Sequence, residues 1–341
     1  AAVASTALTA THCTHDRDGI WNEILGGMRT RETWRNTAQS VTSFMSSSDF
    51  LKLFDDCVGL CSCWFERLDG NPNKCDNCQA RDTTVPIIED VLGRHLCPLI
   101  NAIDADGETC LHKVISNEHL VFLAERILQH PGFNNIDAKN QHGETVLHKA
   151  VSAKDHTLVE KILDHPNIKN ADAKDAYGKT VLHEATSMEM WALAEMILYH
   201  PKFNDVDAED TDGETALHKA LSKRFPSDEG SGFVKKILEH PKFKNINAKD
   251  KHGETALHKA AWAGAEEILK NILDHPDFTE ANATTKKAGR TALHYAVINE
   301  NADSVKILLS HDKFTAEDHC DRFQHWNATS YAERKGPFSS T

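Results

Sequence analysis

Between residues 100 and 319 runs of apolar positions at helical spacing alternate with polar stretches. A run such as Thr255-Ala-Leu-His-Lys-Ala-Ala261 sets small and apolar residues at helical intervals and predicts a short helix. Directly after such a run comes an apolar stripe with charged residues on the opposite face, as in Leu158, Val159, Ile162 and Leu163 or in Ile268, Leu269, Ile272 and Leu273. That pattern predicts a second, amphipathic helix. His-Pro then stops it, because proline cannot continue a helix and disfavours helical geometry in the residue before it. The polar stretch that follows, such as Asn247-Ala-Lys-Asp-Lys-His-Gly253, has the Asn, Asp and Gly of an extended finger closed by a tight turn.

This order of helix, helix and finger recurs. The phrase Gly-x-Thr-x-Leu-His runs from Gly107 to His112, Gly143 to His148, Gly178 to His183, Gly213 to His218, Gly253 to His258 and Gly289 to His294. Its glycines are 36, 35, 35, 40 and 36 residues apart, so one supersecondary unit is copied in tandem. The long step comes from Arg224-Phe-Pro-Ser-Asp-Glu-Gly-Ser-Gly232, which reads as a flexible surface loop between the two helices of the fourth unit. An insertion of that length costs little in closure entropy.

These residues resemble the ankyrin repeat, whose consensus is Asp-x-x-Gly-x-Thr-Pro-Leu-His-x-Ala-Ala followed by a second helix ending in paired aliphatics. Here Ala, Val or Cys replaces the consensus proline, and the His-Pro-x-Phe connection is two or three residues longer. The resemblance implies a mainly α solenoid of helix-turn-helix units with β-turn or hairpin fingers. It also extends weakly beyond the six copies. Val91-Leu92 followed by Ile100-Asn101-Ala102 aligns with Ile237-Leu238 followed by Ile246-Asn247-Ala248, and Asn327-Ala-Thr-Ser-Tyr-Ala332 resembles a degenerate first helix. Eroded ends suit caps, which need one polar outer face. The expected organisation is a Cys-rich, irregular and helical extension over 1–83, a repeat domain over 84–335 and a tail over 336–341. Within 1–83, Ile20 to Met28 and Asp49 to Phe65 have helical apolar spacing, and Thr37 to Ser48 reads as a linker.

Twelve of the 21 histidines fall into two periodic series, those of the motif and the helix-ending His130, His165, His200, His240, His275 and His311. Successive copies sit one unit apart, and stacked helices are roughly 8 to 10 Å from one another. Such side chains make a row and not the converging set of four that zinc needs. By the resemblance, Thr and His of each motif bond locally and fix the finger to the first helix. This covers Thr109 and His112, Thr145 and His148, Thr180 and His183, Thr215 and His218, Thr255 and His258, and Thr291 and His294. Asp16-Arg-Asp-Gly19 fails as a calcium loop, since Thr14 and Leu25 occupy the first and closing positions. Phosphate loops, nucleophile elbows and dinucleotide signatures are lacking, so the chain is expected to be non-catalytic and without a cofactor.

The resemblance places partner contacts on the two residues before each motif glycine and on the pair ending each first helix. Aromatic and large apolar residues concentrate interface energy. The candidates are therefore Tyr177, Met188, Trp262 and Ile298, with the finger residues Lys251, His252 and Lys287 beside them. The expected role is that of an adaptor, scaffold or structural subunit of a multi-subunit complex.

Charge narrows the choice of partner. The chain carries 51 acidic and 38 basic side chains, a formal charge of −13 that repels nucleic acid and anionic membranes. No stretch approaches the roughly 18 to 20 apolar residues of a membrane-spanning helix, so direct membrane insertion is not expected.

Cysteine leaves alternatives open. Cys57, Cys61, Cys63, Cys75 and Cys78 fall close together, apart from the scattered Cys13, Cys97, Cys110 and Cys320. The cluster fits disulfides in an oxidising compartment, a zinc site of Cys61, Cys63, Cys75 and Cys78, a redox-active Cys75-x-x-Cys78, or unlinked thiols. The zinc or redox reading would give the N-terminal segment an activity of its own, with the repeats presenting a protein substrate. Cys110 stands at the consensus proline position and reads as a small packed residue. The opening Ala1, Ala2, Val3, Ala4 and Ser5 resemble the flanks of a processing site, a reading that competes with a trimmed or incomplete N-terminus. With the cysteines and the sequons Asn282-Ala-Thr284 and Asn327-Ala-Thr329, these residues favour an exported or organellar setting over a cytoplasmic one.

Overall fold

The structure, a computed structural model, describes residues 100–116, 121–222, 228–315, 319–322 and 327. The five clustered cysteines, the helices expected before residue 84 and the expected limits at 83/84 and 335/336 lie outside the described residues. So do Val91, Leu92 and Tyr331 of the eroded copies. The chain divides into two units, Ala1–Gln141 and His142–Thr341.

The described part of the first unit holds one finger, helix α1 (Cys110–Ile115), a 3-10 turn (Val121–Leu123) and helix α2 (Ala124–Gln129). Leu111, Val114 and Ile115 bury against Leu123, Ala124 and Ile127, with Phe133 closing the core from the loop that follows. Cys110 is buried there and its thiol donates to the Ile100 carbonyl at 3.4 Å, so it packs as a small residue.

The second unit holds five helix pairs: α3 (Val146–Ser152) with α4 (His156–Asp164), α5 (Val181–Ser187) with α6 (Trp191–Tyr199), α7 (Ala216–Ala220) with α8 (Asp228–Leu238), α9 (Ala256–Ala263) with α10 (Glu266–Asp274), and α11 (Ala292–Ile298) with α12 (Ala302–Ser310). The first helices α3, α5, α7, α9 and α11 pack in sequence, and α6, α8, α10 and α12 form a second row. Buried alanines such as Ala150, Ala185, Ala260 and Ala296 let the first helices approach closely, while Leu158, Ile162, Ile268 and Ile272 fill the layer between the rows. No named strand occurs among the described residues; each finger is a turn, with one isolated bridge between Ile103 and Thr109.

The expected loop at 224–232 is only partly a loop. Residues 228–232 are helical and lengthen α8 to 11 residues, against 9 in α4, α6, α10 and α12. Asp228 and Glu229 lie in its first turn, where negative charge is favoured by the helix dipole, and Gly230 is buried.

Five of the second helices stop at a histidine with extended backbone, as at His165 (φ −58°, ψ 131°), and α8 stops two residues before His240. Proline follows the histidine in four of these five copies and also at His240. His311 precedes Asp312 and adopts the same geometry (ψ 127°), so proline is not the whole cause. In all six copies the ring Nδ1 accepts the N–H two residues on, at 3.1 to 3.3 Å. The helix-ending histidines are thus turn caps.

Candidate protein-binding surface

Four of the six fingers are shaped by one carboxylate. The Asp175 carboxylate accepts the N–H groups of Tyr177 and Lys179, both at 2.8 Å, and Asp104, Asp210 and Asp250 do the same in their own fingers. The turn then closes through glycine in the left-handed region, for instance Gly143 at φ 72°. A Cβ there would stand 2.7 Å from the backbone nitrogen of Ala176 in the next finger. Glycine therefore permits both the turn and the close approach of neighbouring tips.

The tips are stitched by single backbone bonds. Within the second unit, Ala176 N–H donates to His142 O (2.8 Å), Thr211 to Tyr177 (2.9 Å), Lys251 to Asp212 (2.6 Å), Lys286 to His252 (2.8 Å) and Arg322 to Ala288 (2.7 Å). In the first unit, Gln141 donates to Asp106 at 2.6 Å. This ladder holds Tyr177 on the third finger, Lys251 and His252 on the fifth and Lys287 on the sixth, along one row. Tyr177 is 64% exposed, with Lys179 Nζ 5.8 Å from its ring centroid. Lys251, His252 and Lys287 are exposed, and Lys251 Nζ lies 2.8 Å from Asp212.

Behind the tips the motif threonine caps the first helix. In all six copies the Thr N–H donates to the His Nδ1 at 3.2 or 3.3 Å, and the Thr hydroxyl accepts from the His backbone in a capping box. Because Nδ1 accepts, the ring proton sits on Nε2. That atom donates to the following repeat: His148 to Lys179 O (3.2 Å), His183 to Glu214 O (3.0 Å), His218 to Glu254 O (3.3 Å) and His258 to Arg290 O (3.2 Å). Burial pushes the His183 and His258 rings down to about 4 and also lowers His218.

The expected helix-end contacts divide. Met188 caps α5, Trp262 lies near the end of α9 and Ile298 ends α11, and all three are half-buried. Helices α9 and α11 are neighbours, which brings Trp262 and Ile298 to adjacent ends, whereas α7 separates Met188 from them. Asn301 anchors the pair by donating to the carbonyls of Ala261 (2.8 Å) and Trp262 (3.1 Å).

Two features were missed at the level of sequence. The first is a row of charge between tips and helices, at the position after each motif glycine and the position after each motif histidine. Lys219 contacts Asp210 (2.8 Å) and Glu214, while Lys259 contacts Glu214 (2.8 Å), Asp250 (3.2 Å) and Glu254 (3.4 Å). Burial alone would raise the Glu214 carboxyl, but its hydrogen bonds with the two lysines bring it down to about 2. Tyr295 continues the row by donating to Glu254. In the third motif copy the charges are exchanged, Lys179 for the usual Glu and Glu184 for the usual Lys. There burial raises the Glu184 carboxyl, the Ser152 hydroxyl opposes the rise and nearby Glu144 and Asp175 add to it. The recurring Gly-Glu-Thr-x-Leu-His-Lys is the signal that could have found this row.

The second missed feature is a bridge at the base of several fingers. Asn247 Nδ2 donates to Asp277 O (2.7 Å) and its Oδ1 accepts from Thr279 N–H (2.9 Å) in the next repeat. Asn282 does the same with Lys313 O (3.0 Å) and Thr315 N–H (2.7 Å). Both polar atoms of the Asn282 sequon amide are therefore engaged in holding repeats together. Asp172 and Asp207 use their carboxylates alone, accepting from 204–205 and 244–245.

Among the described residues no three His, Cys, Asp or Glu side chains converge to hold a metal, and no helix is long and apolar enough to cross a membrane. A family profile for ankyrin repeats matches the chain in three overlapping copies, over residues 111–207, 189–285 and 227–321. Among solved structures, the ankyrin repeat domain of Bcl-3, a member of the IkappaB protein family, aligns at 24% identity over 67% of this chain and 95% of that one, with a TM-score of 0.51. EF0377, an ankyrin repeat protein, aligns at 20% identity over 57% of this chain and 92% of that one, with a TM-score of 0.47. No curated protein matches.

Proposed function

Because the chain belongs to the ankyrin-repeat family, a family of protein–protein interaction modules, we propose that it is a non-catalytic adaptor, scaffold or structural subunit of a multi-subunit assembly. The repeat domain is taken to run from 84 to 335, beyond the matched 111–321, on the strength of its eroded end copies. One observation carries the reading. The recurring Thr, His and finger Asp side chains are committed to bonds within and between repeats, whereas the residues that vary from copy to copy, Tyr177, Lys251, His252 and Lys287, are exposed on the tip row. A surface that is constant inside and variable outside serves recognition. Trp262, Ile298 and Met188 add apolar area at the helix ends of the same face.

Mild affinity isolation of the native protein from its source, followed by mass spectrometry, tests this. Companions in fixed stoichiometry are expected, and a Tyr177→Ala/Trp262→Ala chain should recover at least about tenfold less of them while keeping its helical signal. A chain recovered alone, or equal recovery by the double variant, would count against the reading. The proposal includes an exported or organellar setting, supported by the clustered cysteines. Companions drawn from the cytosol would overturn that part.

A further inference from the structure

Charge along the tip row is uneven. The fourth finger presents Thr211 and Asp212, while the next presents Lys251 and His252 and the sixth presents Lys286 and Lys287. Arg322 follows one rung later, its backbone bonded to Ala288 and its guanidinium donating to the Lys286 carbonyl at 2.9 Å. All five of these basic residues are exposed. The acidic groups around them are already occupied: Asp250 and Glu254 by Lys259, Glu254 also by Tyr295, and the buried Asp321 by Arg290 at 3.6 Å. Among the described residues no carboxylate pairs with Lys286, Lys287 or Arg322, and Lys251 has Asp212 alone. A chain of formal charge −13 thus carries, at one end of the row, a positive strip whose spacing is fixed by the backbone ladder.

We infer that these last three tips bind an extended acidic segment of a partner protein, an inference that rests on the tip-and-helix face being the interaction surface. The geometry sets the spacing of the acidic residues. Equivalent tips are one repeat apart, roughly 8 to 10 Å by the spacing of packed helices. An extended peptide advances about 3.3 Å per residue. Carboxylates three residues apart along the segment therefore meet Lys251, then Lys286 and Lys287, then Arg322. A nucleic acid would fit the strip but meet the field of the whole chain, which repels a long polyanion; a short acidic segment ends before it reaches that field.

The test uses the full chain and a fluorescent peptide of about ten residues with Glu at every third position on a Gly/Ser background, its binding read by anisotropy. Saturable binding that weakens from about 0.05 M to about 0.3 M salt is expected. A peptide of the same composition with its Glu residues contiguous should bind more weakly. Lys286→Glu/Lys287→Glu should reduce affinity about tenfold or more, and Lys287→Gln by a smaller factor, with unchanged thermal unfolding. Lys235→Glu, on the exposed side of α8, should change nothing. No binding, equal binding by the Lys286→Glu/Lys287→Glu chain, or tighter binding of a single-stranded oligonucleotide of equal charge would overturn the inference. The Lys286→Glu/Lys287→Glu chain is also carried through the affinity isolation. If it recovers the native companions fully while Tyr177→Ala/Trp262→Ala loses them, the acidic-segment inference falls and the interaction surface stands. If both chains recover them fully, the surface itself is wrong.

Discussion

Each motif histidine spends one ring nitrogen on its own threonine, and at His148, His183, His218 and His258 the other reaches the following repeat. A proton on Nδ1 would destroy the inner bond, so these rings must stay neutral. With His183 and His258 at about 4 folded and about 6.5 unfolded, the unfolded chain binds more protons between those values. Stability is then complete above about pH 6.5 and declines as the pH falls towards 4. Each ring contributes up to about 3 kcal/mol to that decline. Urea unfolding at a series of pH values should show it, and His183→Gln should lower the midpoint at neutral pH while flattening the acid slope. An unchanged slope would remove His183 from the account.

At the scale of the element, the turn between the helices of a repeat carries a cost that one of the four described copies avoids. Gly264 occupies the left-handed region at φ 74°, and at the matching position Lys154, Glu189 and Glu300 are forced to φ 59°, 57° and 62°. Side-chain-bearing residues are strained there. Lys154→Gly is therefore expected to raise stability by about 0.5–1 kcal/mol, seen as a higher unfolding midpoint. A lower midpoint would mean that the lysine side chain outweighs its backbone.

Element existence and order were legible in the sequence because the apolar spacing, the Gly-x-Thr-x-Leu-His phrase and His-Pro all act locally. The extra turn of α8 was not legible, since Asp228 to Gly232 contains two glycines that read as loop while burial of Gly230 and Phe233 holds the segment in the helix. The exposure of the proposed contact residues was legible in part. Exposed Tyr177 and Lys287 follow from their place before a turn glycine, but half-burial of Trp262 depends on α11 and Asn301. Asn282 illustrates the limit: its partners at 313 and 315 lie one repeat away, so the sequence displays only an Asn-Ala-Thr triplet.

Across the whole molecule, what joins one repeat to the next is short in reach and similar in kind. Along residues 142–322 the joints reuse a tip bond, a histidine bond, a finger-base bridge and, where Lys202, Lys242 or Lys313 is present, a lysine donating to carbonyls of the preceding repeat. Among the described residues no repeat is bonded to a distant one, so damage there stays local and the array behaves as a sum of units and neighbouring interfaces.

That construction gives the chain the character of a spring with repeated links. Held at its ends and stretched in optical tweezers, it should lengthen in discrete events as single repeats peel away. A repeat step of 35 residues would release about 120 Å of contour. The 40-residue step, with its enlarged α8, should appear as one longer event of about 140 Å. The insertion would then serve as an internal length marker, recording where along the chain the tether is giving way.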